Sequence, residues 1–358
     1  MRIILAPMEG LVDAPIREIL TKVGGIDRCV TEFIRVTHGM LPARIFYKYA
    51  PELHRACETG AGTPVAVQLL GSDPEQMGLH GLKAAGLGAT RVDINFGCPA
   101  KTVNMHKGGC VLMREPELMH EITAAVRKAV PAEIPVTAKM RLGYDDRSMG
   151  VACGQALEAA GASEIVIHAR SKVDGYKPPA YWEEIARVRE AVKAHVIANG
   201  EVWTVEDYWR CRKVSGCEDV MIGRGLIARP DLAAQIKASQ RGDTFTPMTW
   251  PEAVALVREY AAALQTRLED RYVTGRIKQW LNFLRQGFAE AEYLWPQARK
   301  IREVVPMLAC LEQAASPVDV PAHIPPGGHT MAFNGNCKCV DIRDQPSVPD
   351  LHRRRIVT

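Results

Sequence analysis

The sequence has no apolar run approaching the roughly 18 residues that a membrane span needs. Its opening, Met1-Arg2-Ile3-Ile4-Leu5-Ala6-Pro7, is broken by proline too early for a secretory leader. A soluble, cytoplasmic protein is therefore expected. No single charge dominates: the net charge of +4 permits a nucleic-acid partner without arguing for one. A disulfide framework is missing too. The ten cysteines are scattered, several inside strand-like or helix-like apolar stretches, as suits reduced, buried thiols in a chain of this size. Finally, there is no glycine fingerprint after the first strand. Ala6-Pro7-Met8-Glu9-Gly10 is not the phosphate-binding turn expected of an open, doubly wound sheet.

What is present is ordinary globular material. The 358 residues are 47% apolar and 24% charged, enough for one barrel-sized domain and a smaller appendage. Short β-branched runs at 2–6, 29–33, 65–70, 91–95, 136–140, 164–168, 195–199 and 219–223 read as eight strands. Between them, segments such as 74–87, 116–130, 181–192 and 204–214 carry apolar residues at helical spacing. Ser72-Asp73-Pro74, and Thr204 followed by Asp207, are helix-start signals. Alternating strands and helices imply parallel strands with crossover helices. Eight such units within about 235 residues match an α/β fold of the (β/α)8 TIM-barrel type, placed at residues 1–240.

After the linker Arg241-Gly242-Asp243-Thr244-Phe245-Thr246-Pro247 the strand pattern stops. Residues 250–313 read as a small all-helical C-terminal domain, with helices at 251–268 and 273–287 and a charged amphipathic run at 297–311. Ile277, Leu281, Leu284 and Phe288 fall near one helical face and should point inward. From 315 to 358 the chain is Pro-, Gly- and polar-rich, the composition of a flexible tail. Its Cys337-Lys338-Cys339 supplies only half a tetrahedral metal site, and no metal is assigned.

In a (β/α)8 barrel the chemistry sits at the C-terminal ends of the strands. Reading only those positions gives Pro7, Met8 and Glu9 after the first strand, and Glu32 and Arg35 around the second. Gln68 lies in the third, Asn95 and Cys98 follow the fourth, and Lys139 and Arg141 mark the fifth. His168 and Arg170 end the sixth, Asn199-Gly200-Glu201 the seventh and Gly223-Arg224-Gly225 the eighth. Random loops would not place so many polar and glycine residues at one structural level. The last two groups suit a phosphate, since glycine allows close backbone approach and Arg224 adds a fork of donors; a tight turn is the competing reading of Gly-Arg-Gly. Lys139 is costly to bury unless it meets an acceptor, such as the N1–C2=O edge of a flavin, or else a barrel carboxylate. His168 reads equally as a cofactor contact or a satisfied core histidine. Cys98, in Asn95-Phe96-Gly97-Cys98-Pro99-Ala100-Lys101, is placed to exchange a proton, whereas the other nine cysteines read as structural.

Taken in order, these residues resemble the tRNA-dihydrouridine synthases. The resemblance rests on Leu5-Ala6-Pro7-Met8-Glu9-Gly10, Thr31-Glu32-Phe33, Val67-Gln68-Leu69-Leu70-Gly71 and Asp93-Ile94-Asn95-Phe96-Gly97-Cys98-Pro99. It continues through Lys139-Met140-Arg141-Leu142-Gly143, His168-Ala169-Arg170, Ala198-Asn199-Gly200-Glu201 and Met221-Ile222-Gly223-Arg224-Gly225. It spans roughly residues 1–313 and leaves the tail unmatched. Within the family it is similar to the bacterial branch that acts on uridine 16 of the D-loop, through Arg35, Lys101-Thr102-Val103-Asn104 and Arg276-Ile277-Lys278-Gln279-Trp280. The resemblance implies NADPH-dependent reduction of the uridine C5=C6 bond in tRNA, with hydride from FMN to C6 and a proton from Cys98 to C5. It implies that Pro7, Met8, Glu9, Gln68, Lys139 and His168 hold FMN together with Asn199, Gly200, Glu201, Gly223 and Arg224. Asn95 and Arg141 would hold the base, and Arg35, Tyr176, Arg276, Lys278, Phe283 and Arg299 would contact the substrate tRNA, bound at its D-loop or elbow by a monomer.

Charge supports the RNA partner independently. Between 271 and 302 there are seven Lys/Arg against two acids, and Arg271, Lys278 and Arg285 recur every seven residues along one helical face; an ordinary solvated face is the competing reading. A flavin barrel reducing a small molecule of the dihydroorotate or enoate type would share the mouth but not the basic helices. A non-enzymatic RNA-binding protein would have no use for Cys98, Lys139 and a phosphate cradle together.

Overall fold

A computed structural model describes residues 1–313; residues 314–358, with Cys337 and Cys339, lie outside the described part. The strands are β1 (Ile3–Leu5), β2 (Arg28–Val30), β3 (Ile34–Arg35), β4 (Val65–Leu70), β5 (Val92–Asn95), β6 (Val136–Met140), β7 (Glu164–His168), β8 (His195–Asn199) and β9 (Val220–Ile222). Every pairing between them is parallel, β1 bonds to both β2 and β9, and β2 also bonds to β4. The sheet therefore closes on itself as the expected (β/α)8 barrel, with no free edge.

Nine segments make eight staves because the second stave is bulged. Its two halves, β2 and β3, both pair with β4. From Val30 to Ile34 the stave advances four residues while β4 advances three, Ala66 to Leu69. The extra residue interrupts the ladder, and the hydroxyl of Thr31 accepts from the Gln68 N–H at 3.0 Å. The strand expected at 29–33 is thus shorter than its β-branched run, and Glu32 is turned to accept from the N–H of Gly10 at 2.6 Å.

The helix starts follow their caps: Asp13, Asp73 and Thr204 accept from N–H groups of the helices Ala14–Val23, Pro74–Gly86 and Val205–Ser215. Strand alternation sorts side chains between the helix-covered outside and the barrel interior. The interior has three levels. At the N-terminal end Arg2, Arg28 and Arg91 converge on Glu164, at 2.9, 2.6 and 3.3 Å. Asp219 there pairs with Arg2 at 2.6 Å and His195 at 2.8 Å. The middle is apolar, a cluster that includes Ile4, Val30, Ala66, Val166, Ile197 and Met221. The upper level holds Gln68, Asn95, Lys139, His168 and Asn199, one residue from each of five successive staves.

Residues 250–313 form four helices, Trp250–Gln265, Asp270–Leu284, Ala289–Ala298 and Val304–Gln313. The first is locked by a capping box between Thr249 and Glu252. Ile277, Leu281 and Leu284 are fully buried and Phe288 is 5% exposed, as their spacing predicts. The run at 297–311 is not one helix. It breaks at residues 299–303 between the third and fourth helices; Leu294 and Ala298 pack inward on one side of the break and Val304, Met307 and Leu311 on the other. The bundle sits against the barrel, with Trp280 Nε1 donating to the Ile227 carbonyl at 3.0 Å. Among the described residues no helix is long and apolar enough to cross a membrane.

Candidate active site at the barrel mouth

Parallel pairing sets the upper level side by side: Asn95 is in register with Lys139, and His168 with Asn199. The Lys139 ammonium makes no hydrogen bond or ion pair within the described residues. Burial pushes its ammonium down to about 8, helped by the nearby Arg141 and opposed by Asp93 and Cys98. His168 is held well below its ordinary value by burial and then by Arg141, Lys139, Arg170 and Arg224. It is neutral at physiological pH, and its buried Nδ1 has no hydrogen-bond partner.

Two aromatic and guanidinium layers roof the mouth. Tyr176, on the loop after β7, meets His168 edge to face at 6.0 Å, and the guanidinium groups of Arg141 and Arg224 each lie 5.1 Å from its ring centre. Arg141 is buried and locked, donating to the carbonyls of Gly97, Ser171 and Gly175 at 3.0 Å each. Arg224 and Arg170 share one oxygen of Glu201, at 2.6 and 3.1 Å, while Trp203 Nε1 donates to the other at 3.2 Å. Glu201 takes a left-handed φ of 55° after Gly200 at 120°, a conformation unusual for a side-chain-bearing residue and frequent at functional sites. Met8 lies beside Gly223: a Cβ there would come to 3.4 Å from Met8 Sδ, an ordinary contact. Pro7 is half-buried and Glu9 exposed on the same loop, whose following residue Gly10 is gripped from both sides, its N–H by Glu32 and its carbonyl by Arg276.

Cys98 is half-buried at the tip of the loop after β5. The Asn95 side-chain oxygen accepts from the N–H groups of Gly97 and Cys98 at 2.9 Å each. Asn104 Nδ2 donates to the Cys98 carbonyl at 3.0 Å, and the Cys110 N–H also donates to it, at 3.0 Å. Gly109, at φ 67°, passes so close that a Cβ would sit 2.8 Å from that carbonyl. The other described cysteines are buried. Burial raises Cys29 and Cys153 to about 12 and Cys110 to about 11, leaving them inert thiols.

The structure brings together the residues read from strands three to eight, with Tyr176, around one mouth. Arg35 stands at its rim, donating to the Thr102 carbonyl at 3.3 Å. The residues on the C-terminal helices lie elsewhere. Arg276 is paired with Asp13 at 2.6 Å in the seam against the barrel. Phe283 is buried in the helical core, and Arg299 is exposed. On the heptad face, Arg271 pairs with Glu269 at 3.0 Å and Arg285 with Glu292 at 2.6 Å. Lys278 is pushed down by partial burial and then by Arg302. Two residues given no role in the sequence reading emerge, Asp93 and Thr137, both buried beneath Gln68 and Asn95. The signal was available: Arg91, Asp93 and Asn95 alternate through an otherwise apolar strand, so all three face inward.

Comparison with known proteins gives this mouth a lineage. The chain is 55% identical over 300 residues to the tRNA-dihydrouridine(16) synthase of Pseudomonas syringae pv. tomato, covering 84% of this chain and 95% of that protein. It is 54% identical to the protein of the same name from Pseudomonas putida, covering 84% and 93%. Against that of Ralstonia nicotianae it is 46% identical, covering 87% and 96%. The family model described as dihydrouridine synthase matches residues 4–316, and the chain belongs to the dihydrouridine synthase family.

Proposed function

We propose that this chain is a flavin-dependent tRNA-dihydrouridine synthase that reduces the C5=C6 bond of uridine 16 in the D-loop. The observation that carries this reading is the set of groups at the mouth: Lys139 without an ion pair among the described residues and His168 with an unpartnered buried nitrogen, beside the loop that presents Cys98. FMN fits that set. Lys139 and Gln68 suit the N1–C2=O edge of a flavin, and Asn199, Gly200, Glu201, Gly223 and Arg224 line the far side where a phosphate would lie. Pro7, Met8 and Glu9 complete the first-strand wall. When bound, FMN supplies the hydride for C6, renewed from NADPH.

The chain's own residues do the rest. The uridine must leave its stack to enter the mouth. There the flat face of Tyr176, backed by Arg141 and Arg224, offers a stacking surface. Asn95 keeps one side-chain N–H beyond its bond to Gln68 for the base. Cys98 releases its thiol proton to C5 as the double bond is saturated, and solvent restores the thiol. The barrel, 1–240, is the catalytic domain and the helices, 250–313, the tRNA-binding domain. There Lys278 beside Arg302, with Arg299 and Lys300, supplies a cluster of positive charge. The test is turnover: purified protein with FMN and NADPH should form dihydrouridine at position 16 of a substrate tRNA, whereas turnover of a small enoate and not of tRNA would oppose the reading.

A further inference from the structure

Beneath the mouth runs a one-way chain of hydrogen bonds. The Thr137 hydroxyl donates to Asp93 Oδ1 at 2.6 Å, and Gln68 Nε2 donates to Asp93 Oδ2 at 2.7 Å. Asn95 Nδ2 donates to Gln68 Oε1 at 2.8 Å. Asn95 Oδ1 then accepts the N–H groups of Gly97 and Cys98. A carboxylate offers only acceptors, whereas an amide offers a donor at one end and an acceptor at the other. An acceptor at Asp93 therefore forces Gln68 to turn its NH2 inward and its oxygen outward. That oxygen forces Asn95 to turn its NH2 towards Gln68 and its own oxygen towards the loop. Only this orientation satisfies the two loop N–H groups.

We propose that Asp93, supported by Thr137, is a positioning residue that sets the orientation of the Gln68 and Asn95 amides and through them holds the loop bearing Cys98. Asp93 makes no bond to the loop itself and reaches it through Gln68 and Asn95. It lies buried, 2% exposed, in a strand position where a polar group is retained only for the bonds it makes. The proposal rests on the reading of Cys98 as proton donor for its catalytic consequence, but its structural content does not.

The test swaps the direction of the chain. Gln68→Glu sets two acceptors against each other and should break it. Adding Asp93→Asn should restore it, because the new amide can donate to the carboxylate introduced at position 68 while its oxygen accepts from Thr137. The readout is amide hydrogen exchange at Gly97 and Cys98 in the flavin-free protein, with the helix Trp250–Gln265 as internal reference. Exchange at the two loop amides should rise by about tenfold or more in Gln68→Glu and in Asp93→Leu. It should return towards the wild-type rate in the double variant, with the reference helix unchanged throughout. With FMN, NADPH and tRNA, kcat should fall about 10- to 100-fold in Asp93→Leu, as for a misplaced reacting group. Unchanged loop exchange in Gln68→Glu, or a double variant no better protected than the single, overturns the proposal. If Asp93→Leu fails to fold, the Gln68→Glu pair decides alone. Loop exchange that follows this pattern in a protein with no uridine-reducing activity would sink the proposed function and leave the positioning role standing.

Discussion

The two ends of the barrel interior carry similar residue types but differ in how many of their charges are answered. At the N-terminal end three arginines and His195 are answered by Glu164 and Asp219 at ion-pair distance. At the C-terminal end Glu201 answers Arg170 and Arg224, but Lys139 makes no ion pair among the described residues and His168 keeps a bare nitrogen, although burial disfavours both charges. A charge answered within the chain closes off the end of a barrel; one left unanswered in a buried site needs something from outside. The contrast separates scaffold from site without reference to any relative.

Substitutions at each end, and outside the barrel, put this division to the test. The largest effect is expected from Cys98→Ala, which should lower kcat for uridine reduction by about 10²- to 10⁴-fold, the usual contribution of a positioned acid. Flavin content, read from the visible spectrum, should stay intact. Next comes the closed end. Glu164→Gln leaves Arg28 and its neighbours uncompensated and should cost about 3–5 kcal/mol of stability in denaturant melts, with flavin affinity unaltered. An equal loss of flavin affinity would erase the distinction between the ends.

Lys139→Met should weaken FMN binding by about 10- to 100-fold, the worth of a hydrogen bond to a charged group. Its pH signature has a definite sign. In the flavin-free protein the Lys139 ammonium titrates near 8 against 10.5 when unfolded, so between those values the unfolded chain holds more protons and stability contributed through this site rises with pH. Lys139→Met should remove that rise. For FMN binding the sign reverses, since the protonated lysine is the stronger donor to the N1–C2=O edge and affinity should fall once the pH exceeds about 8. The smallest effect belongs outside the barrel. Lys278→Glu with Arg302→Glu should weaken tRNA binding and flatten its salt dependence by about one unit of slope per lost phosphate contact. Arg271→Glu, whose charge Glu269 already answers, should do less.

Much of this was legible before any coordinates. Eight β-branched runs announced eight staves, because parallel barrel strands are buried on both faces and read as short apolar stretches. Polar residues at the ends of those runs announced the mouth. What escaped had physical reasons. The bulge at Thr31–Phe33 has no local signal, since it exists only relative to β4. The heptad of Arg271, Lys278 and Arg285 looked basic because spacing along one helix does not show that Glu269, at the helix cap, and Glu292, on the next helix, turn towards two of its members. The same holds for Arg276, whose partner Asp13 is far away in sequence. Asp93 was hidden inside a motif whose neighbours Asn95 and Cys98 drew the chemistry.

The decisive measurement is site-resolved mapping of dihydrouridine in tRNA lacking the modification, after incubation with the purified protein, FMN and NADPH. Dihydrouridine is expected at position 16 with the wild-type chain and almost none with Cys98→Ala. Equal modification by both proteins, or none by the flavin-loaded wild type, would contradict the assignment of Cys98 and of the mouth around it.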